Sequence, residues 1–146
     1  MRYLVRLAQP EDADALAEIS RRSLHYAWSE RDFLITIKNP QAKVYLAEGS
    51  DGAAGYVVLY HAADEGEIAS VGVHPSQRRR GIGSRILGYM MEQCGTFGVK
   101  KLFLEVRESN DAAQGLYESF GFLRVGVRKD FYDSPKEDAF LMMRIL

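Results

Sequence analysis

Near its middle, the chain has the sequence Val71-Gly72-Val73-His74-Pro75-Ser76-Gln77-Arg78-Arg79-Arg80-Gly81-Ile82-Gly83. An apolar, β-rich run ends at a proline, and three arginines and two glycines then lead into an amphipathic helix. The first N–H groups of a helix have no internal partner, and the helix dipole adds partial positive charge there. This arrangement predicts that a phosphate-bearing ligand binds where the helix begins.

Length and composition limit the class of protein. A chain of 146 residues is expected to form one domain, residues 1–146, and its 47% hydrophobic composition is typical of a globular protein. The net charge of −1 gives no overall field that attracts nucleic acid, so we expect no direct nucleic-acid binding. No apolar run is long enough to span a membrane. Cys94 is the only cysteine, so the chain cannot form an internal disulfide, and its N-terminus lacks the pattern of a signal peptide. Both observations favour a cytoplasmic protein.

Hydrophobic periodicity divides the chain into strands and helices. Strand patterns occupy Tyr3–Leu7, Lys43–Glu48, Ala54–His61, Gly66–Val73, Lys101–Val106, Phe122–Lys129 and Ala139–Ile145. Helical patterns occupy Pro10–Ser23, Ser29–Lys38 and Gly81–Phe97, followed by a short helix that Ser109 or Asn110 caps and Gly121 ends, with Leu24–Trp28 as a connection. The order β-α-α-β-β-β-α-β-α-β-β predicts one α+β domain around a mixed sheet. We expect Glu67–Val106 to form a right-handed parallel crossover.

Two common phosphate-binding motifs do not fit residues 71–83. A dinucleotide fingerprint requires glycine or alanine three residues after the second glycine, where Ile86 stands. A nucleotide P-loop requires Gly-Lys-Ser/Thr after a glycine and four residues, and the chain has no such run. Two other interpretations stay open at this point. Arg78–Arg80 could be a solvated loop before an ordinary helix, or a patch that contacts nucleic acid.

The complete pattern Val71-x-Val73-x-Pro75-x-x-Arg78-x-x-Gly81-x-Gly83 resembles the acetyl-coenzyme A signature of the GCN5-related N-acetyltransferase (GNAT) superfamily. The resemblance implies a mixed α/β sandwich with a mostly antiparallel sheet that is splayed between strands 4 and 5. It also implies acetyl-coenzyme A as co-substrate, with the pantetheine arm on the strand and the pyrophosphate on the loop. The implied binding residues are Val71, Gly72, Val73, Arg78, Arg79, Arg80, Gly81, Ile82, Gly83 and Ser84.

Further segments resemble a narrower group, the bacterial ribosomal-protein-alanine N-acetyltransferases (RimI-type). They are Ala27–Glu30, Leu104–Asn110, Leu116–Phe122, Phe131-Tyr132 and Glu137–Ala139. That group acetylates the N-terminal alanine of a small-subunit ribosomal protein, so the resemblance implies a protein N-terminus as acceptor. Trp28 and Tyr132 are then expected to border the substrate groove, with Phe131 where the group often has a tyrosine.

Acetyl transfer from a thioester to an amine needs a base for the amine. A free α-amino group has a pKa near 8, so a carboxylate acting directly or through water is a sufficient base. Glu105 lies near the end of a predicted central strand between apolar Leu104 and Val106, which could raise its pKa. By resemblance it is the general base. The alternative is a structural carboxylate paired with Arg107 or Lys101.

The departing thiolate needs a proton. Tyr117 lies on the short helix, and by resemblance it is the general acid; the alternative is a core tyrosine beside Leu116 and Phe120. Asn110 could cap that helix and also bind the pantetheine arm. The family precedent for stabilising the oxyanion is the backbone N–H of Val73.

Other ionisable residues compete with Glu105 or offer other chemistry. Glu65 and Glu67 lie on the fourth predicted strand, where many superfamily members place a catalytic carboxylate, although they could equally form an ordinary acidic hairpin. We rank Glu67 second as a base that acts through water, and include it among the substrate-binding residues.

Metal chemistry and two further functions complete the alternatives. His25, His61 and His74 have no metal-ligand spacing, so we expect no metal site. Cys94 lies on the apolar face of a helix and is expected to pack in the core. A small-molecule amine acceptor and a non-catalytic coenzyme A-binding module remain alternatives to a protein N-terminus; an acidic pocket would favour the small amine.

Overall fold

The computed structural model describes residues 2–23 and 27–146, so His25 and most of the predicted Leu24–Trp28 connection lie outside the described residues. The elements are β1 (Leu4–Leu7), α1 (Ala13–Ser23), α2 (Glu30–Lys38), β2 (Ala42–Gly49), β3 (Gly52–Ala62), β4 (Glu65–Val73), α3 (Ile82–Cys94), β5 (Lys101–Arg107), α4 (Asp111–Ser119), β6 (Leu123–Tyr132) and β7 (Glu137–Ile145). Their order confirms the predicted succession of strands and helices. None of the helices in the described ranges has the length and apolar character needed to cross a membrane.

The strands form one seven-stranded sheet in the order β1-β2-β3-β4-β5-β7-β6. β1 to β4 are an antiparallel meander, and β5, β7 and β6 are antiparallel to one another. The one junction between these halves is the parallel pair β4–β5, which α3 connects. The sheet is therefore mixed and mostly antiparallel, as predicted.

β4 and β5 separate soon after they meet. They pair only from Glu65 opposite Lys101 to Glu67 opposite Phe103, although both strands continue beyond those residues. In β4, Ala69 has no partner in β3, because Val58 pairs with Ser70 and Leu59 with Ile68. Such a β-bulge bends a strand and increases its twist. The predicted splay between strands 4 and 5 is confirmed.

Two cores cover the two faces of the sheet. On one face, α3 buries Ile82, Ile86, Leu87, Met90 and Cys94 against the strands. On the other face, α1 and α2 bury Leu16, Ile19 and Phe33 against β2 and β3. The result is an α/β sandwich in which the predicted packing role of Cys94 is confirmed by its complete burial.

Side-chain caps set the ends of two helices as the sequence predicts. The Ser29 hydroxyl accepts a hydrogen bond from the Asp32 N–H at 3.1 Å, and the Asp32 carboxylate accepts one from the Ser29 N–H at 2.9 Å. This is a capping box with aspartate in place of glutamate. At α4 the cap is Asn110 rather than Ser109, because the Asn110 Oδ1 accepts from the Ala113 N–H at 3.1 Å.

Three boundaries differ from the prediction. Pro10–Asp12 form a 3₁₀ turn before α1, and Gly95–Phe97 form another after α3, so both α-helices are shorter than the apolar pattern suggested. The last hairpin is longer, because β6 continues to Tyr132, which pairs with Glu137 at the start of β7. Apolar spacing alone does not distinguish α from 3₁₀ turns at helix ends.

Candidate active site

A cavity of about 380 Å³ opens where β4 and β5 diverge. We call it the splay cavity. β4 contributes residues 68–71 to its wall, β5 contributes residues 105–107, and α4 and its cap close the side. Six predicted site residues meet here, namely Trp28, Val71, Glu105, Asn110, Tyr117 and Tyr132. They come from segments far apart in the sequence, and the divergence of the two strands is what makes room for a ligand between them.

Glu105 occupies the centre of this arrangement. Its side chain is only 17% exposed. Burial raises the pKa of Glu105, the negative charge of Glu67 raises it further, and Arg128 opposes both effects. A carboxylate whose pKa is raised towards neutrality is a better proton acceptor for an amine.

The expected environment of Glu105 was wrong in two respects. Its ion-pair partner is neither Arg107 nor Lys101 but Arg128 on β6, with 3.2 Å between Arg128 Nε and Glu105 Oε1. Leu104 and Val106 are buried on the opposite face of the sheet from Glu105, since successive side chains of a strand point to opposite faces. The raised pKa therefore comes from burial on the Glu105 face and from Glu67.

Tyr117 is almost completely buried, with 8% of its surface exposed, yet it lines the splay cavity. Its ring packs edge-on against Phe122 at a centroid distance of 5.8 Å. Burial raises the pKa of the Tyr117 phenol well above its usual range, so the group stays protonated. Within the described ranges, its hydroxyl has no hydrogen-bond partner. Tyr117 is therefore a core residue that also lines the cavity.

Two aromatic residues, Trp28 and Tyr132, line the splay cavity. The Trp28 ring contacts the Phe33 ring at 5.3 Å between centroids, and the Trp28 backbone N–H donates a hydrogen bond to Ser20 Oγ at 2.8 Å. Both contacts hold Trp28 in place. Both phenol and indole can bind a peptide through a polar tip and an apolar body.

Arg107 and Glu137 hold Tyr132 in place, and sequence analysis had not assigned them this role. The Arg107 guanidinium lies 4.3 Å from the centre of the Tyr132 ring. Arg107 Nη1 also donates to Glu137 Oε1 at 3.0 Å. The period-2 pattern of β5, which puts Glu105 and Arg107 on one face, is the sequence signal that could have identified Arg107.

A second cavity, of about 490 Å³, lies on the other side of Glu105, and we call it the lateral cavity. Glu105 is the residue that lines both cavities. Glu65 and Glu67 line the lateral cavity, away from Trp28 and Tyr132. The two glutamates are therefore not an isolated acidic hairpin, because Glu67, the last residue of β4 that pairs with β5, is close enough to raise the pKa of Glu105.

After β4, the chain passes through the 3₁₀ turn Pro75–Gln77 into residues 78–84, which include the first residues of α3 and which we call the helix-start loop. Gly81 has φ +72°, a left-handed conformation that glycine adopts without strain, and a Cβ there would meet no atom within 4 Å. In the described part of the chain, the N–H groups of Gly81, Ile82, Gly83 and Ser84 have no backbone acceptor. These open donors at the start of a 13-residue helix fit a phosphate-bearing ligand.

The helix-start loop adjoins the splay cavity through α4. A Cβ on Gly83 would lie 3.3 Å from Leu116 Cδ2, and Leu116 lines the cavity. Beyond Glu67, the edge of β4 that faces β5 is unpaired up to Val73. An unpaired strand edge therefore extends from the cavity past Val71 to Val73, and an extended ligand such as a pantetheine arm could pair with it.

The arginines of the loop have different environments. Arg78 and Arg79 are exposed, and Arg79 has φ +65°. Arg80 is also exposed, but its Nη1 donates to the side-chain oxygen of buried Gln77 at 3.3 Å, and that oxygen also accepts a hydrogen bond from the Tyr3 hydroxyl at 2.6 Å. The Arg80 side chain thus helps attach the loop to the N-terminal strand.

Gly72 and Ile82 have structural tasks beside any contact with a ligand. A Cβ on Gly72 would approach Tyr56 Cε2 to 2.6 Å, so glycine is needed there for close packing against the Tyr56 ring of β3. The Ile82 side chain is 2% exposed, which leaves only its backbone for a ligand. Cofactor contacts at both positions would therefore be made by the main chain.

The chain matches a family model described as the acetyltransferase (GNAT) family over residues 13–122. It is 32% identical over 143 residues to the ribosomal protein bS18-alanine N-acetyltransferase of Salmonella typhimurium, with 94% of each chain covered. It is 33% identical over 137 residues to the enzyme of the same name from Haemophilus influenzae, with 90% of each covered.

Solved structures agree with the sequence relatives. The crystal structure of the ribosomal-protein-S18-alanine N-acetyltransferase from Escherichia coli superimposes with a TM-score of 0.92 at 27% identity, covering 99% of this chain and 94% of that one. An Arabidopsis thaliana structure solved with a bisubstrate analogue has a TM-score of 0.86 at 19% identity, which bears on the fold alone.

Proposed function

Because the chain belongs to the GNAT acetyltransferase family and is an N-acetyltransferase, we propose that it acetylates the N-terminal α-amine of a protein, with the alanine of a small-subunit ribosomal protein as the acceptor. The proposal is supported by the names of the relatives from Salmonella typhimurium and Haemophilus influenzae. A ribosomal acceptor would also put the reaction in the cytoplasm.

One observation carries the proposal furthest. A partly buried carboxylate with a raised pKa, Glu105, shares a cavity with a buried phenol, Tyr117, and the aromatic side chains of Trp28 and Tyr132 line the same cavity. A base, an acid and a groove for an extended acceptor are the groups that direct acetyl transfer needs.

Acetyl-coenzyme A, the co-substrate of the family, would supply the acetyl group as a thioester. The N–H groups of residues 81–84 fit its pyrophosphate, and the unpaired edge of β4 at Val71 and Val73 fits its pantetheine arm. Asn110, which lines the splay cavity, keeps its side-chain NH₂ available while its Oδ1 caps α4.

Glu105 is proposed to take a proton from the acceptor amine. An α-amine with a pKa near 8 is partly neutral at physiological pH, so the carboxylate needs to accept only the proton released as the new N–C bond forms. The Arg128 ion pair favours the ionised form of Glu105, whereas burial and the charge of Glu67 make that charged form less stable than in water.

Tyr117 is proposed to give a proton to the departing sulfur. A phenol held protonated by burial, with no partner for its hydroxyl in the described part of the chain, can donate to a thiolate that forms beside it. The Tyr117 ring is fixed against Phe122, so the hydroxyl position is preset.

A mass-spectrometric assay with hexapeptides tests this function. Peptides that begin with alanine or serine should gain one acetyl group at the N-terminus, whereas the same peptides with a blocked N-terminus should gain none. Absence of product from every alanine- or serine-initiated peptide, together with turnover of small amines, would overturn the acceptor assignment.

A further inference from the structure

The lateral cavity is larger than the splay cavity and is not needed for a base, an acid or a co-substrate cradle. It measures about 490 Å³, and it opens on the same carboxylate, Glu105. Its walls come from β3, β4, β5, β6 and β7, so it is a built feature of the sheet and not a gap between mobile loops. An acceptor whose amine reaches Glu105 can extend another part of itself into this space.

The walls of the lateral cavity combine apolar surface with negative charge. Phe103 and Leu141 are apolar, and Glu65 and Glu67 are carboxylates on β4. The cation in the wall, Arg128, is already paired with Glu105. Two carboxylates in the wall therefore remain without an ion pair among the described residues, although Lys101 lies opposite Glu65 in the sheet.

His61 also lines the lateral cavity. Its ring lies 4.8 Å from the ring of Phe97, and its Nε2 is buried without a hydrogen-bond partner in the described ranges. Burial lowers the pKa of His61, with a smaller effect from Lys43, and both effects favour the uncharged imidazole. The carboxylates of Glu65 and Glu67 accept hydrogen bonds, and an ammonium group has three donors and no acceptor, so the two are complementary.

From this arrangement we infer that the lateral cavity binds an ammonium group carried on an aliphatic stem by the acceptor substrate, with Glu65 and Glu67 as its counter-charges and Phe103 and Leu141 along the stem. This inference rests on the proposed acetyl transfer. The reacting amine, at the other end of the substrate, forms its N–C bond as the thioester C–S bond breaks, gives its proton to Glu105, and leaves the bound ammonium unchanged.

Two kinds of acceptor share this chemistry. One is a peptide with a lysine side chain next to its N-terminal residue, and the other is a free aliphatic diamine. Each kind of acceptor has a matched pair that differs in one ammonium group and keeps a stem of similar length. The peptide pair begins with Ala-Lys and Ala-Met, and the small-amine pair is pentane-1,5-diamine and pentylamine. The ratio of kcat/KM within each pair therefore isolates the contribution of the ammonium group.

We expect at least one of these ratios to exceed one by about fivefold, as for a partly exposed ion pair. The double variant Glu65→Gln/Glu67→Gln should bring that ratio close to one. The matched control is Asp64→Asn, which removes a charge from the same hairpin but outside the cavity lining, and it should leave the ratio unchanged. Since each ratio compares two acceptors on one enzyme, a general effect on Glu105 cancels.

A preference confined to peptides identifies a basic side chain as the occupant, and one confined to the diamine identifies a small amine; both support the site. Ratios near one in the unmodified enzyme would overturn it. A ratio lowered equally by Asp64→Asn and by the double variant would also overturn it, because that result indicates long-range attraction. Acetylation of Ala-Met peptides tests the proposed function separately, so the two can fail independently.

Discussion

In the helix-start loop, the groups proposed to hold the co-substrate belong to the backbone, whereas around Glu105 the functional groups are side chains from several strands and helices. The loop N–H groups at residues 81–84 are directed by a glycine with φ +72° and by the start of α3. Glu105 depends on Arg128 and Glu67, which lie on β6 and β4.

This contrast explains what each region tolerates. A backbone cradle depends on conformation, so most side chains in it can change while its glycine cannot. The pKa of a carboxylate between two cavities depends on burial and neighbouring charge. We therefore expect substitutions on other elements to alter that pKa without changing the local fold. We therefore expect the loop to set affinity for the co-substrate, and the surroundings of Glu105 to set rate and acceptor choice.

The largest expected effect separates rate from co-substrate binding. Glu105→Gln should lower kcat by about 10³-fold, because it removes the proton acceptor. Affinity for coenzyme A, measured by calorimetry, should stay within about twofold, since the loop is untouched. Glu108→Gln, on the exposed segment after β5, is the matched control and should retain normal kcat. A near-normal rate for Glu105→Gln would mean that another group, such as Glu67, is the base.

Removal of one hydroxyl tests the acid. Tyr117→Phe should lower kcat by roughly 10²-fold, while the thermal midpoint changes little because the ring contact with Phe122 is kept. Tyr89→Phe is the control, since Tyr89 packs edge-on against Tyr45 at 5.5 Å and does not line the splay cavity. Equal activity of the two variants would contradict the role of Tyr117.

Gly81→Ala changes the loop by conformation alone. No atom lies within 4 Å of the added Cβ, so the cost of about 1 kcal/mol in unfolding free energy comes from φ +72°. The N–H groups of residues 81–84 would then either keep their direction at that cost or point elsewhere. In both cases coenzyme A should bind about tenfold more weakly. Gly95→Ala also meets no atom within 4 Å, but with φ −62° it should be neutral or slightly stabilising. Unchanged coenzyme A affinity in Gly81→Ala would separate the loop from the co-substrate.

The smallest effects are two opposite shifts in the pH dependence of kcat/KM. Arg128 lowers the pKa of Glu105 and Glu67 raises it. Only ionised Glu105 accepts a proton, so Arg128→Gln should move the acid limb to higher pH and Glu67→Gln should move it to lower pH. The acceptor α-amine ionises near pH 8 and adds a second break to the profile. The pKa of Glu105 is therefore taken from the break at lower pH in a plot of log kcat/KM against pH. Shifts in the same direction would show that Glu105 does not control this limb.

Local patterns predicted much of this molecule. The helix-start loop was identified from Val71–Gly83, because a strand end, a glycine with special φ and a helix start are encoded within a few residues. The caps at Ser29 and Asn110 were predicted for the same reason, since each cap bonds a backbone group three residues away.

The partner of Glu105 could not be predicted in this way. Glu105 pairs with Leu141 and Leu141 with Gly126, so Arg128 reaches Glu105 only through the register of β6 on β7. That register has irregularities between Arg124 and Gly126 and again between Arg128 and Tyr132. Counting by twos along β6 therefore does not show which side chains share a face with Glu105.

The sequence by itself determined the order of elements, the single sheet with its crossover, and the glycine-bearing start of α3, because these follow from hydrophobic periodicity and short-range hydrogen bonds. Only the tertiary structure decided that Glu105 lies between two cavities, with Arg128 and Glu67 acting on it in opposite directions. The physical reason is the early separation of β4 from β5 after three paired residues, which depends on a bulge and on long-range strand register.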